Sequence, residues 1–181
     1  MPVTVHCGNI LDQPAEALVL PCNGSGIMGF VSLAGEVRRF MGRKLYLEYR
    51  KLCPMEVGDV HLIDASPSAR QKKVLLACTM IRPGTPIPIS NVTRTSRAIL
   101  RLAREHGITS LAWPLLGSGG GRIDGRRAYE AIVEEIEAFR KQGYDPDVFI
   151  VEKSPHKVRA ILEGPPPSPA ETLAFEDTVR R

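Results

Sequence analysis

The sequence predicts an α/β fold, a sheet with parallel central strands covered by helices on both faces. Three observations carry this expectation. Strand-like apolar runs alternate with helix-like stretches along most of the 181 residues. Two of the runs, "ALVL" (17–20) and "VFIV" (148–151), are apolar at every position, as strands buried on both faces are. Glycine-rich segments follow two strand-like runs, and sheets of this class bind ligands beyond the carboxyl ends of their strands.

The elements follow in order. "VTVHC" (3–7) and "EALVLP" (16–21) read as strands, and a helical region from about Phe30 to Leu52 is broken near Gly42. "DVHLIDA" (59–65) and "KVLLACTM" (73–80) read as strands. Their polar link is too short for a helical crossover, so a hairpin is expected. A proline-rich loop, "RPGTPIPIS" (82–90), leads to a helix capped by Ser90 or Asn91. Val92, Ser96, Ile99, Leu100 and Ala103 form its apolar stripe, and Gly107 ends it. "TSLAWP" (109–114) is a buried strand. Asp124 caps the next helix, whose stripe is Tyr129, Ile132, Val133, Ile136 and Phe139, and Gly143 stops it. "DVFIVE" (147–152) is the last strand, and a short helix over about 155–163 closes the domain. From Gly164 the proline run cannot enter a sheet or a helix interior, so 1–163 reads as the domain and 164–181 as linker and tail.

Composition sets limits. With 43% hydrophobic and 24% charged residues the chain reads as an ordinary globular protein. The formal charge of +4 is spread along the chain and suits anionic ligands without implying a nucleic-acid protein; no aromatic stacking platform is visible either. Cys7, Cys22, Cys53 and Cys78 lack CxxC pairing, and the four histidines lack metal-ligand spacing, so free thiols, no metal and no cofactor are expected. No signal peptide or membrane-length apolar run is visible, which makes the cytoplasm the expected compartment.

The chemistry concentrates in two loops, "NGSGIMG" (Asn23 to Gly29) and "GSGGG" (Gly117 to Gly121). Glycines permit left-handed backbone and remove the Cβ atoms that would keep a ligand away. Successive amides in such turns form an anion nest, and a following helix N-terminus adds partial positive charge. One glycine-rich turn is most often only a turn. Two of them at strand ends in one domain fit the two phosphates of a diphosphate. Competing readings fare worse. Gly24, Gly26 and Gly29 match GxGxxG, but the region about twenty positions on, where an acidic residue should end the next strand, reads as helix, and Asp64, which does end a strand, lies too far along. "GSGGGR" lacks the ending of a P-loop, and Ser118 is not in a GxSxG elbow.

Taken together, "HCGNILDQPAEALVLPCNGSGIMGFVSLAGEV" (6–37), "CPMEVGDVHLIDA" (53–65) and "LAREHGITSLAWPLLGSGGG" (102–121) resemble the macro domain family, over about residues 3–162. The resemblance implies a three-layer α/β/α fold around a mixed six- or seven-stranded sheet, with an ADP-ribose cleft across the strand ends. It implies that Asn9, where the family has an acid, and the backbone of Ile10 meet the adenine. Asn23 would contact and orient the distal ribose, the one catalytic role it assigns. Gly26, Ile27, Met28, Gly29 and Phe30 would clasp the diphosphate and distal ribose, and Gly117, Ser118, Gly119, Gly120 and Gly121 would clasp the diphosphate from the other side. The "GIMG" loop resembles the branch that removes ADP-ribose from glutamate or DNA bases. That branch uses a lysine after the fourth strand, where this chain has Met80. An aspartate or an aromatic residue of related second loops corresponds here to Gly121. The expected function is binding of ADP-ribose, free or on a protein or nucleic acid, with weak ADP-ribosyl hydrolysis as an added activity. A phosphoesterase acting on ADP-ribose phosphates and a non-catalytic partner-binding module are the alternatives. No membrane partner is expected.

Overall fold

A computed structural model describes residues 3–29 and 32–163. Phe30 and the expected tail, 164–181, lie outside the described residues.

Six strands form one sheet: β1 (Thr4–Cys7), β2 (Ala17–Asn23), β3 (Val60–Asp64), β4 (Lys73–Met80), β5 (Ser110–Trp113) and β6 (Asp147–Glu152). Their order is β1-β6-β5-β2-β4-β3. Five strands are mutually parallel, and only β3 runs antiparallel, paired with β4 in the expected hairpin.

Side-chain alternation divides the core in two. Ala17 and Val19 of β2, with Leu75 and Ala77 of β4, face α3 (Ile89–Glu105), α4 (Gly125–Arg140) and α5 (Pro155–Glu163). Leu18, Leu20 and Cys22, with Val74, Leu76 and Cys78, face α1 (Leu33–Met41) and α2 (Arg43–Leu52). Residues 17–20 and 74–78 are all fully buried, which is why these runs are apolar at every position. The result is the three-layer α/β/α architecture around a mixed six-stranded sheet.

Most element boundaries match the sequence reading to within a residue or two. Gly42, with φ of 84°, separates α1 from α2. Asp124 caps α4, its Oδ1 accepting from the N–H groups of Arg126 and Arg127. The cap of α3 is different. The helix begins at Ile89 behind Pro88, with no side-chain cap. Asn91 instead donates from Nδ2 to the Thr79 carbonyl at 3.0 Å, tying α3 to the end of β4. Asn91 is the third residue of the helix, inside the first turn rather than at its cap, so its side chain is available for a tertiary bond.

The chain path creates a switch point. From β2 it moves to β3 and β4 on one side, then crosses back over β2 through α3 to build β5 and β6 on the other. The carboxyl ends of β2 and β5, which pair with each other, therefore flank a crevice.

Candidate functional site

A cleft of about 670 Å³ runs across the carboxyl ends of the five parallel strands. Gly8 follows β1; Pro21, Cys22 and Asn23 end β2; Thr79 and Met80 end β4; Pro114 and Leu115 follow β5; Val151 and Glu152 end β6. Both glycine loops and the start of α1 complete the walls. The size suits a small-molecule site.

Asn23 builds the first loop. Its Oδ1 accepts from Ile27 N at 3.2 Å, Ser25 N at 3.2 Å and Ser25 Oγ at 2.8 Å, while Nδ2 donates to the Ile27 carbonyl at 2.5 Å. One Nδ2 hydrogen remains for a ligand. The loop is anchored to its neighbours as well: Gly24 N donates to Met80 O, Ser25 N to Ile81 O, and Met55 N to Gly24 O. Tyr49, fully buried in α2, donates its hydroxyl to the Asn23 carbonyl at 2.6 Å. Gly24 has no room for a side chain, since a Cβ would lie 2.1 Å from the Met55 carbonyl oxygen.

The second loop is built from backbone. Ser118 N donates to Leu115 O, Arg122 N to Gly119 O, and Ile123 N to Gly117 O. Gly117, at φ of 77°, sits against Ile87, Val92 and Ile123. A Cβ on Gly121 would stand 2.7 Å from the Gly117 carbonyl oxygen and 2.9 Å from Ile87. The bareness of position 121 is thus a packing requirement of this loop, and no aromatic or acidic side chain fits there without moving the backbone.

These folds leave a set of open donors. Among the described residues, the N–H groups of Gly119, Gly120 and Gly121, and those of Met28 and Gly29, have no protein acceptor. Ser32, Leu33 and Ala34, at the N-terminus of α1, also line the cleft. The Ser32 hydroxyl takes Gly35 N, so the Leu33 and Ala34 amides stay open at the positive end of the helix dipole. α4 contributes no such field to the lining. Its first N–H groups are taken by Asp124, and Gly125 does not line the cleft.

Other expected site residues distribute as follows. Ile10, Asn23, Ile27, Met28 and Gly29 line the cleft, as do all five residues from Gly117 to Gly121. Gly26 does not; its positive φ of 77° turns the loop, packed against Arg50 and Cys53. Asn9 is exposed and outside the lining, its Oδ1 accepting Leu11 N at 3.2 Å to cap a short 3-10 turn, Ile10–Asp12. Met80 lines the cleft where the resemblance implied a lysine, and Arg82 is exposed outside it. Cys22 is no nucleophile: burial and the nearby Cys78 push its thiol up, far from the thiolate range. Burial likewise raises the Cys78 thiol to about 11.

Sequence reasoning missed four charged residues at one end of the cleft. Glu36 of α1 pairs with Lys153 at 2.5 Å, and Glu152 lies 3.7 Å from Lys157 of α5. They are distant in sequence, and the one available signal was that Glu152 closes a parallel strand. Among the described residues, no cluster of histidine, cysteine and acidic side chains could hold a metal ion, and no helix is long and apolar enough to cross a membrane.

A switch-point crevice flanked by two nests of open amides, in a three-layer α/β sheet, is a geometry suited to an anionic ligand. The macro domain family model matches residues 14–132, and the chain belongs to the macro domain family. An uncharacterized protein of Aeropyrum pernix is 38% identical over 121 residues, covering 67% of this chain and 63% of the relative. A DNA ADP-ribosyl glycohydrolase of Thermus aquaticus is 26% identical over 174 residues, covering 93% of this chain and 47% of the glycohydrolase, so the chain spans about half of that relative's length. The Trypanosoma brucei macrodomain, solved in complex with ADP-ribose, shares the fold with a TM-score of 0.78 at 17% identity, over 88% of this chain and 67% of that one.

Proposed function

We propose that the cleft binds ADP-ribose, carried free or on a macromolecule, with its diphosphate between the two glycine loops. The observation that carries this reading is the placement of both loops, with their open amides, on either side of the crevice between β2 and β5. Backbone donors and the α1 dipole suit a diphosphate without any fixed cation. The remaining Nδ2 hydrogen of Asn23 suits a ribose hydroxyl. Membership of the macro domain family and the ADP-ribosyl substrate in the name of the Thermus relative support the same ligand.

Binding is favoured over bond cleavage. Met80 and Gly121 hold the two positions at which related sites place reactive side chains, and Glu36 and Glu152 are each engaged with a lysine. Asn23 then orients the ribose and spends most of its amide holding the loop.

Calorimetry with ADP-ribose tests the reading; absence of heat at millimolar ligand overturns it. Gly119→Glu gives the specific control. Nothing lies within 4 Å of a Cβ at this position, so the variant folds, and its carboxylate repels the diphosphate. Affinity falls by about a hundredfold or more, the scale of a like charge set against an anion in a partly desolvated cleft. An ADP-ribosylated oligonucleotide is the first conjugate to compare with free ADP-ribose, since the Thermus relative is named for DNA.

A further inference from the structure

We infer that the exposed face of α2 holds the phosphate backbone of an unpaired nucleic-acid strand and leads it to the first glycine loop; the destination, though not the contact itself, rests on the ADP-ribose reading above. The positive charge of the chain is unevenly placed. α1 and α2 together carry six lysine and arginine residues against two glutamates, a surplus equal to the formal +4 of all 181 residues. On α2 the buried side is Leu45 and Tyr49. Arg43, Lys44, Leu47, Arg50 and Lys51 are exposed, and their helical spacing puts them on one face. Arg43 and Arg50, like Lys44 and Lys51, stand two turns apart, about 10 Å along the axis.

The acids nearby do not cancel this face. Glu48 approaches Lys44 only to 3.9 Å, and Glu36 and Asp64 are engaged by Lys153 and Lys73. Among the described residues, the side chains of Arg43, Arg50 and Lys51 have no hydrogen-bond or ion-pair partner. Arg43 and Lys44 are also locally unfavourable. They sit in the first turn, at the positive end of the helix dipole, where α2 has no acidic residue and no side-chain cap. A local rule broken without a compensating contact is expected where a surface serves a ligand, and an anion would meet the cations and the helix end together. Two features select a nucleic acid among polyanions. Phe40 and Leu47, 45% and 46% exposed among these cations, offer a ring and an apolar surface to unstacked bases. The face is also continuous with the cleft. Arg50 lies against the first loop, its Cδ 3.2 Å from where a Cβ on Gly26 would stand, and Ser32, Leu33 and Ala34 of α1 line the cleft itself.

The test is fluorescence anisotropy on the full chain with a short, unmodified oligodeoxynucleotide that cannot self-pair. Affinity falls with salt, and log K against log salt has a slope of about −2 to −3, as three or four phosphate contacts to a single strand give. Arg43→Gln combined with Lys44→Gln, at the end of α2 away from the first loop, weakens binding by about tenfold and flattens the slope by about 1.4, the share of two contacts. This variant keeps the parent's affinity for free ADP-ribose, which shows that it is folded. Arg50→Gln combined with Lys51→Gln weakens the oligonucleotide to the same extent. A parent that does not bind the oligonucleotide at about 50 mM salt overturns the inference. So does either variant binding it like the parent, or equal affinity of the parent for the duplex of the same sequence. Equal affinity for a polyglutamate peptide or for phosphatidylserine vesicles overturns it as well, because the face would then be a general anion or membrane surface. A parent that binds the oligonucleotide but not ADP-ribose overturns the ADP-ribose reading and leaves the strand contact standing; one that binds ADP-ribose alone does the reverse.

Discussion

The two glycine loops do the same geometric job with different materials. The first is held by a side chain: Asn23 makes four hydrogen bonds within Asn23 to Ile27, and the loop is laced to β4's end and to Met55. The second has no such organiser. Its shape comes from four backbone hydrogen bonds, one of them from Ile87 N to Gly121 O, from Gly121, which admits no side chain, and from Gly117, whose φ of 77° a side chain would strain. A loop held by side-chain chemistry tolerates change at its glycines unevenly and fails when its organiser is removed. A loop held by close packing fails at particular glycines and is indifferent at others.

The largest effect is expected where the first loop touches its neighbour. Gly24→Ala drives a Cβ to 2.1 Å from the Met55 carbonyl oxygen, a backbone atom that cannot step aside. Such overpacking costs about 3 kcal/mol. A denaturant midpoint equal to the parent's would show that the contact between Gly24 and Met55 does not hold the loop.

Within the second loop the contrast is internal. Gly121→Ala brings a Cβ to 2.7 Å from Gly117 O and is expected to cost about 2 kcal/mol and to weaken ADP-ribose binding with it. Gly119→Ala has open space and should stay within about 0.5 kcal/mol of the parent. Equal melting temperatures for the two variants would break the packing account of this loop.

Asn23→Ala comes next. It removes the acceptor of Ile27 N and the donor to Ile27 O in a partly buried loop, whereas Ser25 N keeps its bond to Ile81 O. A loss of about 1–2 kcal/mol in stability follows, with roughly tenfold weaker ADP-ribose binding. Asn23→Asp separates the two halves of the amide, because it keeps the acceptor and replaces the donor with an oxygen facing Ile27 O. If both variants bind like the parent, the side chain is not the organiser.

The same division explains what could be read in the sequence. Strand identities and the hairpin were legible because burial on two faces forces apolar runs and short links forbid crossovers. The loops were legible because glycine clusters are rare after buried strands. Asn23 could be placed beside the ligand, but nothing in "NGSGIMG" says that its amide turns back on Ile27. Glycine 121 looked like a deletion of function until Gly117 O and Ile87 were found occupying the space of its Cβ. Glu152 lay hidden because what brings it to Gly8 and Ile10 is the β1–β6 pairing, a contact spanning most of the chain. Asn91 read as a helix cap, but the helix starts two residues earlier, at Ile89, and from inside its first turn the Asn91 amide donates to the Thr79 carbonyl instead.

The smallest effect concerns the footing of the first loop. Cys22 precedes Asn23 and packs with its thiol 4.0 Å from Met55 Sδ, under the same residue that anchors Gly24. Burial pushes this thiol up and raises that of Cys78 from 9.0 to about 11. Cys7, by contrast, is exposed. In the native protein at pH 8 a thiol-alkylating reagent should therefore modify Cys7 and leave Cys22 and Cys78 intact over the same period. The pH dependence has a definite sign. An unfolded thiol loses its proton near 9, whereas the folded Cys78 keeps it to about 11. Below pH 9 both states are neutral and stability is unaffected. As pH rises from 9 towards 11 the unfolded chain alone releases the proton, so this group's contribution falls across that window. Labelling of Cys22 should remain slow at pH 9.5, and any gain should track global unfolding measured in the same buffer. If Cys22 reacts at the rate of Cys7 while the protein stays folded, the loop opens at its base. Asn23 and Met55 would then be a latch that releases rather than a fixed wall of the cleft.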